Sequence, residues 1–188
     1  MGMGNRVMGM GRRSLLIGMA AMALPWMARA QIGEGSTMTN VTELDWTYLA
    51  DTVMGGVSEG TARMDDGAIR LTGTVSTANR GGFIQARLAL PDGLPDTTTG
   101  LRLRVRGNGE RYFIHLRTSA TRLPWQYYQA GFDTGPDWAD VTIPLSDFAP
   151  SGRLMSARIS PANIRSLGLV AYGRDHQADV SLSEIGTD

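Results

Sequence analysis

Arginine, histidine, glutamine and tyrosine recur at every second position along four segments of this 188-residue chain. Because side chains two residues apart in a strand point to the same side, they share one face if the four strands lie in one sheet. The residues of this polar face are Gln85, Arg87, Arg102, Arg104, Arg106, His115, Arg117, Tyr127 and Gln129. An arginine fork fits a carboxylate or a pair of sugar hydroxyls, and Tyr127 or the nearby Trp125 could stack on a sugar ring.

Two interpretations of this polar face remain open at this point. In the first, it lines a concave groove that binds a glycan, an anionic ligand or a protein segment. In the second, it is a solvated outer face whose arginines pair with the aspartates of the chain. Such exposed pairs stabilise a fold by only about 0 to 1 kcal/mol each and need no ligand.

Catalytic and metal chemistry find little support in the residue pattern. Ser58, His115 and Asp51 could be named as a triad, but a nucleophile needs its base within about 3 Å, and no spacing places His115 beside a serine. Asp65-Asp66 fits a solvated turn rather than an acid/base pair. The chain has no cysteine and only two histidines, which argues against thiolate and zinc sites. We therefore expect a protein that is not an enzyme and that has no cofactor or metal.

About ten short strands are expected to position these residues. The clearest pair is an alternating run at 101–106 and a second run at 111–117, with Asn108-Gly109 predicted to reverse the chain between them. Asp66-Gly67 predicts a two-residue hairpin. The other predicted strands are 44–48, 58–64, 68–75, 83–90, 127–133, 138–143, 165–172 and 179–185, with one helical turn at 160–163. This pattern predicts an all-β fold, an antiparallel β-sandwich of the jelly-roll type.

The loop over residues 50–60 joins the first of the predicted strands to those that follow. Asp51 can accept hydrogen bonds from nearby backbone amides, and Gly55-Gly56 permits a left-handed backbone. The apolar Val53 and Met54 predict a buried or half-buried loop in which Met54 acts as a plug. The loop either closes one end of the sandwich or forms the wall of a binding site, in which case Asp51 and Met54 are candidate binding residues.

Residues 1–30 have the pattern of a cleavable export signal. Arg12-Arg13 precedes an apolar run over 15–27, and Ala28-Arg29-Ala30 is a small-x-small cleavage pattern. The run is too short and too rich in alanine and glycine for a stable membrane span, which needs about 20 strongly apolar residues. We expect a signal of the twin-arginine type, with general secretory export as the alternative, and a mature protein that is periplasmic or extracellular.

The mature chain is predicted to consist of a flexible leader at 31–42 and a single domain at 43–188. All 18 basic residues are arginines, and four of them leave with the signal. The remaining 14 arginines oppose 18 carboxylates, so the mature net charge is about −4. A mildly acidic domain is unsuited to binding nucleic acid, whose phosphates require a basic surface.

Six motifs in a fixed order carry a family resemblance. They are Asp-x-Val-Met-Gly-Gly-Val-Ser at 51–58, Gly-Gly-Phe at 81–83, Gly-Leu-Arg-Leu-Arg-Val-Arg-Gly-Asn-Gly at 100–109, Tyr-Gln-Ala-Gly-Phe-Asp-Thr at 128–134, Trp-x-x-Val-x-Ile-Pro-Leu-Ser-Asp-Phe at 138–148 and Ile-Arg-Ser-Leu-Gly-Leu at 164–169. Together they resemble the CIA30 family, the complex I intermediate-associated proteins, over residues 41–185. The resemblance implies a galactose-binding-like jelly roll. It also implies assembly of respiratory complex I, the role of mitochondrial members, while relatives of the fold bind sugars.

Three functional hypotheses follow from these observations. The first is a protein-binding assembly factor or chaperone whose partner is a respiratory or envelope complex. The second is a carbohydrate-binding module with a polar groove on the concave sheet face. The third is an exported enzyme, which no residue pattern supports. Aromatic rings beside arginines on the concave face would favour a sugar, whereas a broad apolar patch would favour a protein.

Overall fold

The computed structural model describes residues 1, 32 and 37–188. Apart from Met1, the predicted export signal at 1–30 lies outside the described residues. No helix in the described part of the chain is long and apolar enough to cross a membrane.

Short strands dominate the described chain. They are β1 (Thr39–Asn40), β2 (Trp46–Ala50), β3 (Glu59–Asp65), β4 (Ala68–Val75), β5 (Phe83–Ala89), β6 (Gly100–Gly107), β7 (Arg111–Thr118), β8 (Tyr128–Asp133), β9 (Ala139–Pro144), β10 (Ala149–Pro150), β11 (Ile164–Tyr172) and β12 (His176–Thr187). Short 3-10 helices lie at Val41–Glu43, Asp51–Met54, Ala78–Arg80, Leu145–Asp147 and Pro161–Asn163. Every predicted strand is present with its ends within three residues, whereas the two-residue β1 and β10 were not predicted.

The strands form two six-stranded antiparallel sheets that pack on each other. The first sheet has the order β3-β4-β12-β6-β9, with β1 also paired to β12, and the second has the order β10-β8-β7-β11-β5-β2. Alternate residues of both sheets point inward and form one hydrophobic core, for example Leu101, Leu103 and Val105 of β6 and Tyr112, Ile114 and Leu116 of β7. Burying each such side chain contributes about 1.5 to 3 kcal/mol. The prediction of an antiparallel β-sandwich of the jelly-roll type is confirmed.

The turn between β3 and β4 has the predicted conformation. Asp66 and Gly67 have φ angles of 49° and 73°, both in the left-handed region. A two-residue turn with positive φ at both positions matches the twist of the flanking strands, which is why Asp-Gly predicts a hairpin. Asp65 of β3 accordingly pairs with Ala68 of β4.

The turn at Asn108-Gly109 does not form a hairpin, and the prediction that β6 and β7 share a sheet is wrong. β6 pairs with β12 and β9, whereas β7 pairs with β11 and β8. The Asn108 amide donates to the Gln177 carbonyl at 2.8 Å, and its side-chain oxygen accepts from the Tyr112 hydroxyl at 2.7 Å. These bonds hold the turn, which connects one sheet to the other. The Asn108-Gly109 pair therefore predicted the chain reversal correctly but not the pairing of the strands on either side.

The prediction that a flexible leader extends to residue 42 is also wrong. Thr39 and Asn40 pair with Ile185 and Glu184 of β12. Val41 is fully buried in the core. The domain therefore begins before residue 43, because Thr39 and Asn40 pair with β12 while Ile32 and Val41 are buried in the core.

Candidate binding site

One row of paired residues crosses the second sheet and forms the floor of a cavity on its outer face. Gln129 pairs with His115, His115 with Gly168, and Gly168 with Arg87. Because Gly168 has no side chain, a hollow lies between the side chains of His115 and Arg87. The cavity has a volume of about 420 Å³, within the range of about 300 to 1,000 Å³ that is usual for small-molecule sites.

Gln85 contributes an unpaired amide to this floor. It lies two residues before Arg87 on β5 and is only 5% exposed. Its side chain covers the Gly168 backbone, since a Cβ placed on Gly168 would meet Gln85 Oε1 at 2.6 Å. Within the described chain this amide has no hydrogen bond, and it lines the open cavity instead of being fully enclosed. Its donors and its acceptor are therefore available to a ligand in the cavity.

Aromatic rings form one wall of the cavity. Tyr127 stacks on His115, with ring centroids 4.1 Å apart and an interplanar angle of 9°. The Tyr127 hydroxyl donates to the Tyr172 hydroxyl at 3.0 Å, and the Tyr172 ring meets His115 edge to face. Trp125 stands at the mouth with 62% of its surface exposed. The wall thus combines a rigid inner cluster with one exposed indole.

His115 is held as a neutral ring. Burial lowers its pKa to about 4, against a hydrogen bond to Gln129 that raises it and the nearby Arg87 cation that lowers it further. The His115 Nε2 lies 2.8 Å from Gln129 Oε1, so Nε2 carries the hydrogen and donates to that oxygen. At neutral pH the ring therefore offers the cavity polarity without charge.

Arg117 fixes a second wall. Its guanidinium donates to three backbone carbonyls of the loop that joins β7 to β8, those of Thr121, Leu123 and Pro124, at 3.0 to 3.2 Å. This loop also carries Arg122 and Trp125 to the mouth of the cavity. Arg117 is therefore a structural residue of the wall, with most of its donors already used.

Asp51 ties together the walls on the opposite side. Its buried carboxylate accepts hydrogen bonds from the Ser58 amide at 3.0 Å, the Ser58 hydroxyl at 2.5 Å, and the amides of Gly82 and Phe83 at 2.5 and 3.2 Å. The 3-10 helix Asp51–Met54 and the turn before β5 therefore share one anchor. Val53 and Met54 come to the cavity from the first, and Arg80 and Gly81 from the second.

Two glycines make this anchor possible. A Cβ on either Gly56 or Gly81 would overlap the Asp51 carboxylate. Burial alone would raise the pKa of Asp51, but the hydrogen bonds from Gly82, Ser58 and Phe83 outweigh it, so that the pKa is lowered and the carboxylate is charged. Asp51 thus acts under the cavity wall and not in the cavity.

The structure brings together most of the predicted site residues but not all of them. Gln85, Arg87, His115, Arg117, Tyr127 and Met54 line the cavity, and Gln129 lies behind His115. Met54 is not the predicted plug, because it is 52% exposed while Asp51 and its bonded amides fill the space beneath the loop.

Arg102, Arg104 and Arg106 lie on the outer face of the first sheet, on the opposite side of the sandwich, so their place in the predicted polar face is wrong. The strands alternate as predicted, but β6 belongs to the other sheet. Arg104 pairs with the exposed Asp140 at 3.2 Å, and Arg106 lies 4.7 Å from the centroid of the Trp138 ring. For Arg104 the interpretation as a solvated outer face whose arginines pair with aspartates holds.

The cavity residues that the sequence analysis missed include Arg80, Arg122, Gly168 and Tyr172. The alternation of β11 could have given Gly168 and Tyr172, since both lie in the outward phase of that strand. Arg80 and Arg122 lie in loops, where alternation gives no direction. The described chain has no group of three or more potential ligands placed to hold a metal ion.

The comparisons with known proteins decide the family. Residues 36–183 match the family described as Complex I intermediate-associated protein 30 (CIA30). The chain belongs to the CIA30 family. This confirms the resemblance that the six motifs carry, and the matched range spans nearly all of the described residues. No curated protein matches the chain.

Solved structures similar to this CIA30 domain include carbohydrate-binding modules of Clostridium thermocellum. A family 11 module of a cellulosomal cellulase has a TM-score of 0.67 at 16% identity, over 83% of this chain and 96% of that one. A family 11 module in complex with a β-1,3-1,4-mixed-linked tetrasaccharide has a TM-score of 0.62 at 15% identity, over 76% and 89%. A family 30 module of another cellulosomal cellulase has a TM-score of 0.52 at 15% identity, over 77% and 92%. At such identities the likeness shows the fold, a galactose-binding-like jelly roll.

Proposed function

We propose that this CIA30 domain is a non-catalytic binding module that takes a saccharide in the cavity on its second sheet. The observation that carries the proposal is the amide of Gln85, which has no hydrogen bond within the described chain and lines a preformed cavity with aromatic walls. Ligand hydroxyl groups would bond to its two donors and its acceptor. The exposed Trp125 offers an apolar face to a sugar ring.

The geometry favours binding over catalysis. His115 is neutral and hydrogen-bonded to Gln129, while Ser58 is bonded to Asp51 beneath the wall. The three residues of the considered triad therefore do not meet in one site. Two of the similar structures are described as carbohydrate-binding modules, and one of these is in complex with a mixed-linked tetrasaccharide.

A glycan array followed by titration calorimetry tests the saccharide proposal. The array includes the β-1,3-1,4-mixed-linked tetrasaccharide, and the variants are Gln85→Leu and Trp125→Ala, with Arg104→Ala on the other sheet as the control. We expect at least one glycan to bind the wild type, and its affinity to fall at least tenfold in both cavity variants and not in the control. An array without binding, or binding that both cavity variants retain, would count decisively against the proposal.

A protein partner is the second candidate, supported by the rim of the cavity. Val53, Met54 and Trp125 line the cavity and are exposed, and the exposed Leu123 lies between the lining residues Arg122 and Pro124 in the chain. Clustered exposed apolar residues mark interaction surfaces. The family is described by its association with an intermediate of complex I. The domain would then act as an assembly factor or chaperone for a respiratory or envelope complex. The export signal predicted at 1–30 makes a partner in the periplasm or outside the cell the natural one.

Crosslinking in the native host separates this second candidate from the first. A defined partner complex should be recovered with the wild type and lost with the double variant Val53→Asp, Leu123→Asp. The control Leu154→Asp changes an exposed apolar residue that neither lines the cavity nor lies next to a lining residue in the chain. If both variants recover the same proteins as the wild type, the rim is not a protein-binding surface. A reporter fused after residue 30 that stays in the cytoplasm would refute export.

A further inference from the structure

Positive charge without matching negative charge surrounds the cavity. Four arginines line it, namely Arg80, Arg87, Arg117 and Arg122, and no described aspartate or glutamate does. Elsewhere in the described chain, carboxylates pair with Arg70, Arg104, Arg111 and Arg174. The cavity is therefore basic, although the mature chain carries four more carboxylates than arginines.

Among the four arginines of the cavity, Arg87 is partly buried and has no counter-ion. It is half-buried on β5, between β11 and the edge strand β2, and within the described residues its guanidinium has neither a hydrogen bond nor an ion pair. Burial first, and the neighbouring Arg117 cation second, lower its pKa. A partly buried cation without a counter-ion is destabilising unless an anion from outside neutralises it.

The neighbours of Arg87 that line the cavity offer it no negative charge. His115 is neutral, the Gln85 amide is unpaired, and the Arg117 guanidinium is already bonded to the carbonyls of its loop. Arg87 is thus left with five free donors in a planar fork at the edge of the Gly168 hollow. That fork matches the two oxygens of a carboxylate better than isolated hydroxyl groups.

We propose that the cavity selects an acidic saccharide, a glycan with uronate residues, and that the Arg87 guanidinium binds a uronate carboxylate. The inference rests on the proposed saccharide function and narrows it to one chemical class. The Gln85 amide then binds hydroxyl groups of the same sugar, and Trp125 packs against an adjacent ring. The exposed Arg80 and Arg122 at the mouth attract the anionic chain from a distance, an effect that salt screens.

The test compares acidic oligosaccharides with their own neutral forms. Oligomers of galacturonate, mannuronate, guluronate and glucuronate are titrated into the wild-type mature protein, each beside its carboxyl-reduced counterpart. We expect at least one uronate to bind at least tenfold more tightly than its neutral counterpart, with an affinity that falls as salt rises. Arg87→Gln should remove that preference and leave the neutral form unaffected. Arg87→Lys should restore part of it, because lysine keeps the charge but not the fork.

The matched control is Arg104→Gln, which removes an arginine from the opposite face of the sandwich. Both glutamine variants should melt no lower than 3 °C below the wild type, since neither removes a core contact. If neutral and acidic forms bind equally and Trp125→Ala weakens both, the saccharide function stands and the acidic preference is refuted. If neither form of any oligomer binds at millimolar concentration and the glycan array is also negative, both proposals fail. An acidic preference that Arg87→Gln keeps, or that Arg104→Gln loses equally, refutes the assignment to Arg87.

Discussion

The imidazole of His115 stacks on the phenol ring of Tyr127, with centroids 4.1 Å apart and planes 9° apart. Tyr127 lies just before β8 and His115 in the middle of β7, so the stack joins the floor of the cavity to its aromatic wall. The stack covers one face of the imidazole, whose burial lowers its pKa to about 4. The charge of the cavity floor thus depends on how far this ring is buried.

The first prediction concerns this titration. The His115 ring should remain neutral, with the hydrogen on Nε2, between pH 5.5 and 8. Tyr127→Ala should raise the pKa towards the ordinary value of about 6.5, because it exposes the ring. Gln129→Leu should lower the pKa further, because the Gln129 hydrogen bond raises it. The nitrogen chemical shifts of the histidine rings, followed against pH, measure the pKa of His115 in the wild type and in both variants. If the pKa changes in the same direction in the two variants, the stated causes are contradicted.

The pKa of His115 is lower in the folded than in the unfolded chain, and this difference fixes the direction in which folding stability changes with pH. The unfolded state binds a proton first as the pH falls below about 6.5, so folding stability should decline from there down to about pH 4. Urea unfolding at several pH values measures this decline. It should be smaller in Tyr127→Ala, where the two pKa values are closer together.

The second prediction concerns the hollow at Gly168. In Gly168→Leu the new side chain displaces the flexible end of Gln85, the nearest atom at 2.6 Å, and fills the cavity. A strand residue with a side chain replaces a glycine, so the free energy of unfolding should change by less than about 1 kcal/mol. Binding of any saccharide that the wild type takes should fall at least tenfold. Gly135→Leu, at a position with open space around it, is the control and should bind normally.

The third prediction concerns the Asp51 anchor. Asp51→Ala leaves the donors of Ser58, Gly82 and Phe83 without their acceptor, and we expect a loss of about 3 to 5 kcal/mol in the free energy of unfolding. Asp140→Ala removes an exposed carboxylate paired with Arg104 and should cost about 1 kcal/mol or less. Denaturant titration compares the two. Equal losses would show that Asp51 is not an anchor.

The pH dependence of this anchor follows from its lowered pKa. The stabilisation by Asp51 is fully present above the unfolded value of about 4 and is lost as the pH falls through the lower folded value. The difference in stability between wild type and Asp51→Asn should therefore shrink below pH 4. A difference that stays constant from pH 6 to pH 2 would mean that the charge of Asp51 contributes nothing.

Local sequence patterns predicted where the strands lie and which residues of each strand share a face. They did not predict which strands pair with each other. Alternation placed Gln85 and Arg87 correctly on one face with His115 and Arg117, because all four lie in strands of the second sheet. The same alternation placed Arg104 with them wrongly, because it fixes the face of a strand but not the sheet that the strand joins.

Backbone placement explains the other errors. Asn-Gly predicts a reversal, and the chain does reverse at Asn108, but the pairing after it depends on contacts with Gln177 far along the sequence. Apolar residues predicted a buried loop, yet in the Asp51–Met54 turn it is the aspartate that is buried. A buried carboxylate needs donors, and two of its four come from residues 82 and 83, which no local pattern connects to residue 51.

The last prediction concerns the loop between β7 and β8, which Arg117 holds by three of its carbonyls. Arg117→Met keeps much of the apolar stem but removes every donor, so the loop should open more often while the sheets remain intact. Amide hydrogen exchange in residues 119–126 should accelerate at least tenfold, and exchange in the core of β7 and β11 should not. Arg104→Met, on the first sheet, should leave this loop protected. Since the loop carries Trp125, the same change should weaken saccharide binding through faster dissociation, and unchanged exchange in the loop would show that Arg117 does not hold it.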